Sequence, residues 1–322
     1  MTVRTEDAAL ILGTAQLGAA YGATNRIGTL DDDAARALIR HARRLGYAEF
    51  DTARGYGDSE RRLGLALAQD PEAHIVTKLS PLSALTPETP LRVVEADTRA
   101  SLATSREALG RRVLPAVLLH RAHHLTAWDG VVWDVLLDER DDGGILTLGV
   151  SVQTPDELDA ALRRPQVRHV QMPFNLLDWR WRTPRMQDLL ASRDDVIVHV
   201  RSALLQGLLA TDDATLWPAV PGLQAASFIK ALDAVAETLG RDSAADLCFA
   251  YVRAQPFVHG VVVGAETETQ LAENAALFAR PALDPDEVVF VQNFFPQVPE
   301  ALLNPALWTS VRETRHDIVR AI

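Results

Sequence analysis

Four side chains with acid–base chemistry stand at or near the ends of three successive apolar runs. The first run ends at Asp51, and Tyr56 follows it by five positions. The next two runs end at Lys78 and His120. If the runs are parallel strands, their carboxyl ends meet on one face, where these groups would converge. An ammonium paired with a carboxylate can lower the pKa of a nearby phenol and tune it for proton transfer.

Each of the four residues also has an ordinary structural explanation. A buried Asp can cap a loop, a Lys can reach water, a His can be satisfied in the core and a Tyr can pack at a rim. For any one of them alone the structural explanation is the better one. Their occurrence together, on three successive strand ends, favours a shared site.

Runs of strand length alternate with longer amphipathic segments, a pattern typical of buried parallel strands covered by helices. The helix predicted over 31–45 begins with acids and ends before Gly46, and that over 154–162 opens as Thr-Pro-Asp-Glu. The helix predicted over 267–278 has Thr267 and Gln270 at a capping-box spacing. The eight predicted strands are 10–13, 47–51, 74–78, 113–120, 147–151, 168–173, 196–202 and 260–264.

Eight strand-then-helix units favour a closed (β/α)₈ TIM barrel of the α/β class, because a closed parallel sheet has no edge to protect. An open doubly wound sheet is the alternative, but residues 12–18 lack the G-x-G-x-x-G turn of its dinucleotide-binding form. Segments 212–222 and 281–322 fall outside the repeat, and either could shape the pocket. We expect one domain over 1–322, with 281–322 as a C-terminal extension packed on the barrel.

The composition of the chain argues against several classes of binding partner and site. The chain has 32 Lys plus Arg against 43 Asp plus Glu, a net charge of −11, which argues against nucleic-acid and membrane-surface binding. Cys248 is the single cysteine, which excludes an internal disulfide and a multi-thiolate zinc site. The apolar stretch 8–13 is too short for a signal peptide or membrane span. We expect a soluble, cytoplasmic protein.

The motifs together resemble the aldo-keto reductase superfamily. The likeness rests on Asp-Thr-Ala-Arg-Gly-Tyr-Gly-Asp-Ser-Glu at 51–60, Thr-Lys at 77–78 and Leu-Leu-His at 118–120. It covers nearly the whole chain, through 149–151, 171–175, 205–209, 264–266 and 270–274. Residues 12–18, with Tyr21-Gly22 and Asn25, are similar to bacterial reductases encoded among sugar-modification genes.

The resemblance implies an NAD(P)-dependent oxidoreductase that interconverts a small-molecule carbonyl and an alcohol by hydride transfer. Tyr56 would be the general acid or base, and Lys78 would lower its pKa. Asp51 would hold Lys78, and His120 would orient the substrate carbonyl.

The resemblance also implies a nicotinamide dinucleotide bound without a Rossmann domain. Ser151 and Gln171 match positions that hold the carboxamide, although the usual Asn after that serine is Val152. Arg201 stands where many relatives have an aromatic residue under the nicotinamide. A guanidinium can stack on a ring, bind phosphate or pair with a structural carboxylate. The other positions expected to contact the cofactor are Gly13, Thr14, Ala15, Ser202, Leu204, Gln206, Gly264, Glu266, Gln270, Glu273 and Asn274.

The choice between NAD and NADP depends on the loop after the last strand, which leads into a helix whose amides could receive phosphates. NADP-specific relatives usually supply Lys or Arg there, whereas this chain has Gly264, Glu266 and Gln270. A carboxylate would repel the 2′-phosphate, so the sequence favours NAD over NADP.

Three other functions stay open at this stage. A non-catalytic regulatory barrel is disfavoured by the intact set of four reactive residues. A redox-neutral sugar epimerase or dehydratase would use a tightly held nicotinamide. A metal-dependent hydrolase would need His120, His123 and His124 as ligands, but no H-x-H accompanies them, and we expect no metal. Substrate identity, reaction direction and oligomeric state are left open.

Overall fold

A closed barrel of eight parallel strands forms the centre of the molecule. The computed structural model describes residues 8–308. Each strand pairs with the next, and β8 pairs with β1 to close the sheet, so the predicted (β/α)₈ barrel is confirmed. The strands are β1 Ala9–Gly13, β2 Glu49–Asp51, β3 His74–Lys78, β4 Leu114–Leu119, β5 Ile145–Ser151, β6 His169–Pro173, β7 Ile197–Arg201 and β8 Gly260–Gly264.

Helices follow every strand and cover the outside of the sheet. They are α1 Ala15–Gly18, α2 Asp32–Arg44, α3 Ser59–Ala66, α4 Leu91–Leu109, α5 Val131–Asp141, α6 Pro155–Leu162, α7 Pro184–Ala191, α8 Ala225–Thr238, α9 Ala244–Arg253, α10 Glu268–Phe278, α11 Pro285–Phe294 and α12 Glu300–Leu303. None of the helices within residues 8–308 is both long enough and apolar enough to cross a bilayer.

The predicted helix starts have the expected caps, with one difference. The Thr154 side chain accepts a hydrogen bond from the Glu157 amide at the start of α6. At α10 the Thr267 side chain accepts from the Gln270 amide, but the Gln270 side chain accepts from the Glu266 amide at 2.7 Å. The reciprocal bond of a capping box is therefore made one residue earlier than the spacing predicts, and it orders the loop before the helix.

Four of the eight strands are shorter than the predicted ranges 47–51, 113–120, 168–173 and 196–202, and the first two of these carry reactive residues at their ends. The predicted strand 47–51 begins at Glu49, because Tyr47 belongs to the turn after α2, where its amide bonds the Ala42 carbonyl at 3.0 Å. Likewise the predicted strand 113–120 ends at Leu119, so His120 is the first residue of the loop that follows. Both differences leave the reactive residues at the carboxyl end of the barrel.

Apolar side chains fill two layers. The larger cluster lies between the sheet and the surrounding helices and includes Phe50, Val117 and Val150. A small cluster of Val76, Ala116 and Leu118 is formed by alternate residues of β3 and β4, on the other face of the sheet. These layers hold the strand ends in place and so determine where the reactive residues lie.

The C-terminal extension, as far as it is described, packs on α9 and on the loop after β6. The Leu283 amide donates to the Ala250 carbonyl at 3.2 Å, and Trp179 Nε1 donates to the Val298 carbonyl at 3.0 Å. Residues 309–322 of the predicted extension lie outside the described residues. The division of the chain into one domain stays a prediction.

Candidate active site

A buried ion pair joins the ends of β2 and β3. Lys78 Nζ lies 2.7 and 2.8 Å from the two carboxylate oxygens of Asp51 and donates a third bond to the Thr52 carbonyl at 3.2 Å. Gln171 Nε2, on β6, donates to the same carboxylate at 2.6 Å. Asp51 and Lys78 are both buried. The predicted pairing is therefore present, and both charges have hydrogen-bond partners, as buried charges require.

Tyr56 sits in the loop after β2, which closes tightly against α1. A side chain on Gly18 would place its Cβ 1.7 Å from the Tyr56 carbonyl oxygen, so glycine is required at that position. The Ser59 amide donates to the same carbonyl at 3.0 Å, and Ser59 Oγ donates to the Thr14 carbonyl at 2.9 Å. These contacts hold the Tyr56 backbone between the first two strand ends.

The structure brings all four predicted catalytic residues together. Lys78 Nζ lies 5.1 Å from the centre of the Tyr56 ring. The ring of His120 lies 5.7 Å from that of Tyr56, centre to centre, and is nearly perpendicular to it at 87°. The four side chains therefore form one cluster at the carboxyl end of the barrel.

Burial is the main influence on the electrostatics of the cluster. Burial raises the pKa of Tyr56 above its ordinary value, the Asp51 carboxylate raises it further, and Arg201 opposes both. Burial and Asp51 together outweigh Arg201, so the pKa of Tyr56 lies above its ordinary value, and the prediction that Lys78 lowers it stays a prediction. Burial also lowers the pKa of Lys78 against the effect of Asp51.

His120 is a neutral imidazole in this setting. Burial, followed by the charges of Lys78 and Arg121, holds its pKa well below the usual value. Its Nδ1 is buried and has no hydrogen-bond partner among residues 8–308. At neutral pH the cluster thus presents a protonated phenol beside an uncharged imidazole.

A cleft of about 1050 Å³ runs from Tyr56 across the rim of the barrel to α10. Asp51 and Tyr56 line its inner end, while Lys78 and His120 lie outside its lining. All the predicted cofactor positions except Ser151 and Gln171 line the cleft; these are Gly13, Thr14, Ala15, Arg201, Ser202, Leu204, Gln206, Gly264, Glu266, Gln270, Glu273 and Asn274.

The two predicted carboxamide residues are buried and do not line the cleft. Ser151 ends β5 and is paired in register with Gln171 on β6. Gln171 is fully buried, with its Nε2 on Asp51 and its Oε1 without a hydrogen-bond partner among residues 8–308. Gln171 thus holds the Asp51 carboxylate and has one acceptor left over, beside the inner end of the cleft.

The loop after β7 has a strained backbone. Ser202, Leu205 and Gln206 all have positive φ, at 63, 46 and 56°. The Gln206 carbonyl accepts from Thr24 Oγ1 at 3.5 Å, so the loop is held against the one that follows α1. Left-handed conformations of non-glycine residues carry an energetic cost and are concentrated at functional sites.

Sequence reasoning missed Tyr21 as a site residue. Tyr21 packs against Tyr56 together with Ala15 and Ala53, and it lines the cleft. Burial and the nearby Tyr56 raise its pKa, while Arg201 and a hydrogen bond with the Gln206 side chain lower it. Two features of the sequence could have indicated Tyr21. It follows the first predicted strand closely, and the chain has only four tyrosines.

The tryptophans, the two segments outside the repeat and the remaining histidines differ in whether they reach the cleft. Although all six tryptophans fall within residues 8–308, none lines the cleft, and Trp181 is fully buried. Asp212 and Leu216 of the segment after β7 do line it, whereas the described part of the extension does not. The rings of His123 and His124 meet edge to face, with their centres 4.2 Å apart, outside the cleft. Across residues 8–308, no three acidic, His or Cys side chains are grouped to hold a metal ion.

Comparison with known proteins identifies relatives of this chain. The model of the aldo/keto reductase family matches residues 9–294. An uncharacterized oxidoreductase of Mycobacterium bovis is 34% identical over 207 residues, which cover 62% of this chain and 58% of the relative. A D-threo-aldose 1-dehydrogenase of a Pseudomonas species is 30% identical over 188 residues, covering 49% of this chain and 57% of the relative. The matched region thus spans less than two thirds of the length of these relatives.

Solved structures share the fold over nearly the full length. The holo form of an aldo-keto reductase from Bacillus halodurans matches with a TM-score of 0.70 and 20% identity, over 98% of this chain and 97% of that one. A glycerol dehydrogenase from Gluconobacter oxydans matches with a TM-score of 0.67 and 23% identity, over 91% and 93% of the two chains. At these identities the likeness shows the common barrel.

Proposed function

This chain belongs to the aldo/keto reductase family, and from that premise we propose that it interconverts a carbonyl and an alcohol by hydride transfer with a nicotinamide dinucleotide. One observation carries the proposal: Tyr56 lines the inner end of a long cleft and has the buried Lys78–Asp51 pair beneath it. A bound nicotinamide dinucleotide would supply or accept the hydride.

In the proposed mechanism Tyr56 moves the proton. When hydride reaches the carbonyl carbon, negative charge develops on the carbonyl oxygen, and the Tyr56 hydroxyl donates its proton there. The phenolate left behind is stabilised by Lys78, which Asp51 and Thr52 hold in place. In the oxidation direction the phenolate takes the alcohol proton.

His120 would position the substrate oxygen. Its ring lies beside that of Tyr56, and its low pKa keeps it uncharged, so Tyr56 stays the proton donor. A neutral imidazole can still donate one hydrogen bond to the carbonyl oxygen. His120 is therefore proposed as an orienting residue and not as a second acid.

The residues of the cleft fit a dinucleotide. One end lies at Tyr56, and the other at Gln270, Glu273 and Asn274 of α10, whose N-terminal amides can receive phosphate. The buried Oε1 of Gln171 lies near the inner end of the cleft and could accept a hydrogen bond from the cofactor's carboxamide. The Gln171 side chain would have to turn to make that bond. The fit supports a cofactor that extends from the barrel mouth to α10.

The charges of the cleft favour NAD over NADP. Among the described residues that line it, the cations are Arg26 and Arg201. The carboxylates lining it away from Asp51 are Asp212, Asp233, Asp242, Glu266 and Glu273. A 2′-phosphate near these groups would be repelled, whereas free ribose hydroxyls can donate hydrogen bonds to them. The name of the Pseudomonas relative supports a sugar as the substrate.

The test is a substrate screen with the wild-type protein. Aldoses, deoxysugars and simple aldehydes are incubated with NADH, and their alcohols with NAD⁺, while absorbance at the NADH band is followed. We expect a substrate-dependent change in absorbance. Sugar conversion seen by NMR without any change in absorbance would instead indicate a redox-neutral epimerase or dehydratase. Dinucleotide binding without turnover of any substrate would indicate a regulatory barrel.

A further inference from the structure

Arg201 is a cation whose hydrogen-bond partners in residues 8–308 are uncharged. It ends β7, its side chain is half-buried, and its Nη2 donates to Gln153 Oε1 at 2.8 Å and to the Val152 carbonyl at 3.3 Å. Among residues 8–308, no carboxylate lies within 4.0 Å of its guanidinium. By contrast, Asp51 balances the charge of Lys78. The inner end of the cleft therefore has an excess of positive charge.

Arg201 and Tyr56 line the same cleft, and the charge of Arg201 acts on the whole cluster. Arg201 lowers the pKa of Tyr56 and Tyr21, and it contributes to the low pKa values of Lys78 and His120. A ring that exchanges hydride with a carbon bonded to the oxygen at Tyr56 must also lie at this inner end. The wall available to it there includes Arg201, Ser202 and Leu204.

We propose that Arg201 lies against the nicotinamide ring and makes the site favour the reduced dinucleotide over the oxidised one; this inference rests on the proposed function. The oxidised ring carries a positive charge and the reduced ring carries none. A planar guanidinium can stack on either form, but its charge repels only the oxidised form. An aromatic residue at this position would instead favour the oxidised ring, because the face of an aromatic ring attracts cations.

The proposal has a consequence for reaction direction. In alcohol oxidation the alcohol carbon gives a hydride to the ring, Tyr56 accepts the hydroxyl proton, and the positive charge of the ring disappears as the carbonyl forms. Relief of the repulsion from Arg201 then assists this direction. The bound cofactor pair becomes a stronger oxidant than it would be beside a neutral side chain.

The experiment measures the dissociation constants of NAD⁺ and NADH by calorimetry for the wild-type protein and for Arg201→Gln, Arg201→Met and Arg201→Lys. We expect the ratio of the NAD⁺ constant to the NADH constant to fall about tenfold in the Gln and Met variants, which equals about 30 mV in the two-electron potential of the bound pair. Most of the fall comes from tighter NAD⁺ binding. The Lys variant, which keeps the charge, should retain most of the wild-type ratio.

Arg26→Gln is the matched control. Arg26 lines the same cleft, but its side chain is 77% exposed and lies 3.5 Å from Asp213, so its loss should change both dissociation constants by the same factor. An unchanged ratio in Arg201→Gln and Arg201→Met would overturn the proposal, as would an equal weakening of both ligands. Failure of the wild-type protein to bind either dinucleotide would contradict the proposed function and this inference with it. Melting temperatures identify any variant that fails to fold.

Discussion

Lys78 Nζ lies 5.1 Å from the centre of the Tyr56 ring, yet the pKa of Tyr56 stays above that of a free tyrosine. The main cause is burial of the phenol, and the second is the negative charge of Asp51, which is bonded to Lys78 at 2.7 and 2.8 Å and acts on the same phenol. In the resting protein Tyr56 therefore holds its proton. This is the state that carbonyl reduction requires of an acid.

The first prediction concerns pH. Because burial raises the pKa of Tyr56 above its ordinary value of 10.0, the phenol stays protonated through the neutral and mildly alkaline range. We expect kcat/KM for carbonyl reduction to be flat from about pH 7 to pH 9. Alcohol oxidation, which needs the phenolate, should become faster as the pH rises. A reduction rate that falls through pH 8 would show that the phenol is more acidic than its surroundings indicate.

The second prediction concerns Asp51→Asn. The change leaves the Lys78 ammonium buried without a counter-charge, and breaking a buried pair in this way costs about 3–5 kcal/mol. We expect the free energy of unfolding to fall by about that amount in urea titrations, and carbonyl reduction to be lost. Asp138→Asn is the control, because Asp138 is 63% exposed and pairs with Arg99 at the surface. Exposed pairs contribute about 1 kcal/mol or less. Equal effects of the two changes would contradict the account of the buried pair.

A third prediction addresses cofactor choice through Glu266→Arg. The change replaces a carboxylate of the cleft with a group that can bind a 2′-phosphate, and hydrogen bonds to charged groups contribute about 1.5–3 kcal/mol. NADPH affinity, measured by fluorescence titration, should rise about tenfold or more, while NADH affinity changes little. Glu268→Arg is the control, since Glu268 does not line the cleft and pairs with His41 at 3.0 Å. Tighter binding of NADPH than NADH by the wild-type protein would refute the preference for NAD.

The amino end of the barrel carries a second group of titratable side chains. The rings of His169 and His199 are 4.1 Å apart, and His199 Nε2 lies 3.5 Å from Glu49 Oε1. His74 lies 3.4 Å from the same oxygen. Both nitrogens of His169 are buried and have no hydrogen-bond partner among residues 8–308. Burial, followed by the charges of His74, Lys78 and His259, lowers the pKa of His169 to about 3.

The fourth prediction follows from this cluster. An unfolded chain protonates His169 near pH 6.5, whereas the folded chain resists protonation down to about pH 3. The unfolded state therefore binds more protons in that window, so stability is complete above pH 6.5 and declines as the pH falls towards 3. For each proton that only the unfolded chain binds, the free energy of unfolding falls by about 1.4 kcal/mol per pH unit as the pH is lowered. In urea titrations from pH 7 to 4, His169→Gln should reduce the dependence of the free energy of unfolding on pH, whereas His41→Gln, on α2 outside this cluster, should not. Equal slopes in the wild-type protein and His169→Gln would contradict the prediction.

The sequence predicted the barrel and the position of its reactive residues because both depend on local pattern. Asp51 and Lys78 end apolar runs, and the ends of parallel strands meet wherever the sheet closes. The sign of the Tyr56 pKa shift could not be predicted in this way. It depends on how completely the fold buries the phenol and on the distance to Asp51, neither of which has a local signal.

The same reasoning explains the site residues that sequence analysis missed. Tyr21 reaches Tyr56 only because the β1–β2 connection folds back over the strand ends. Asp233 and Asp242 belong to the connection between β7 and β8, and they line the cleft only because that connection returns to the barrel rim. The contacts of Arg201 with Val152 and Gln153 likewise depend on how the loop after β5 meets the end of β7.

Single-turnover kinetics of Tyr56→Phe test the central claim most directly. The protein is loaded with NADH and mixed with an aldehyde that the wild-type protein reduces, and loss of the NADH absorbance reports hydride transfer. Because the phenol donates the proton, we predict a rate of hydride transfer at least about 100-fold lower in the variant. Because the phenol lies beside the expected path of the dinucleotide, we predict an NADH dissociation constant within about twofold of the wild-type value. Hydride transfer at the wild-type rate in this variant would contradict the proposed role of Tyr56.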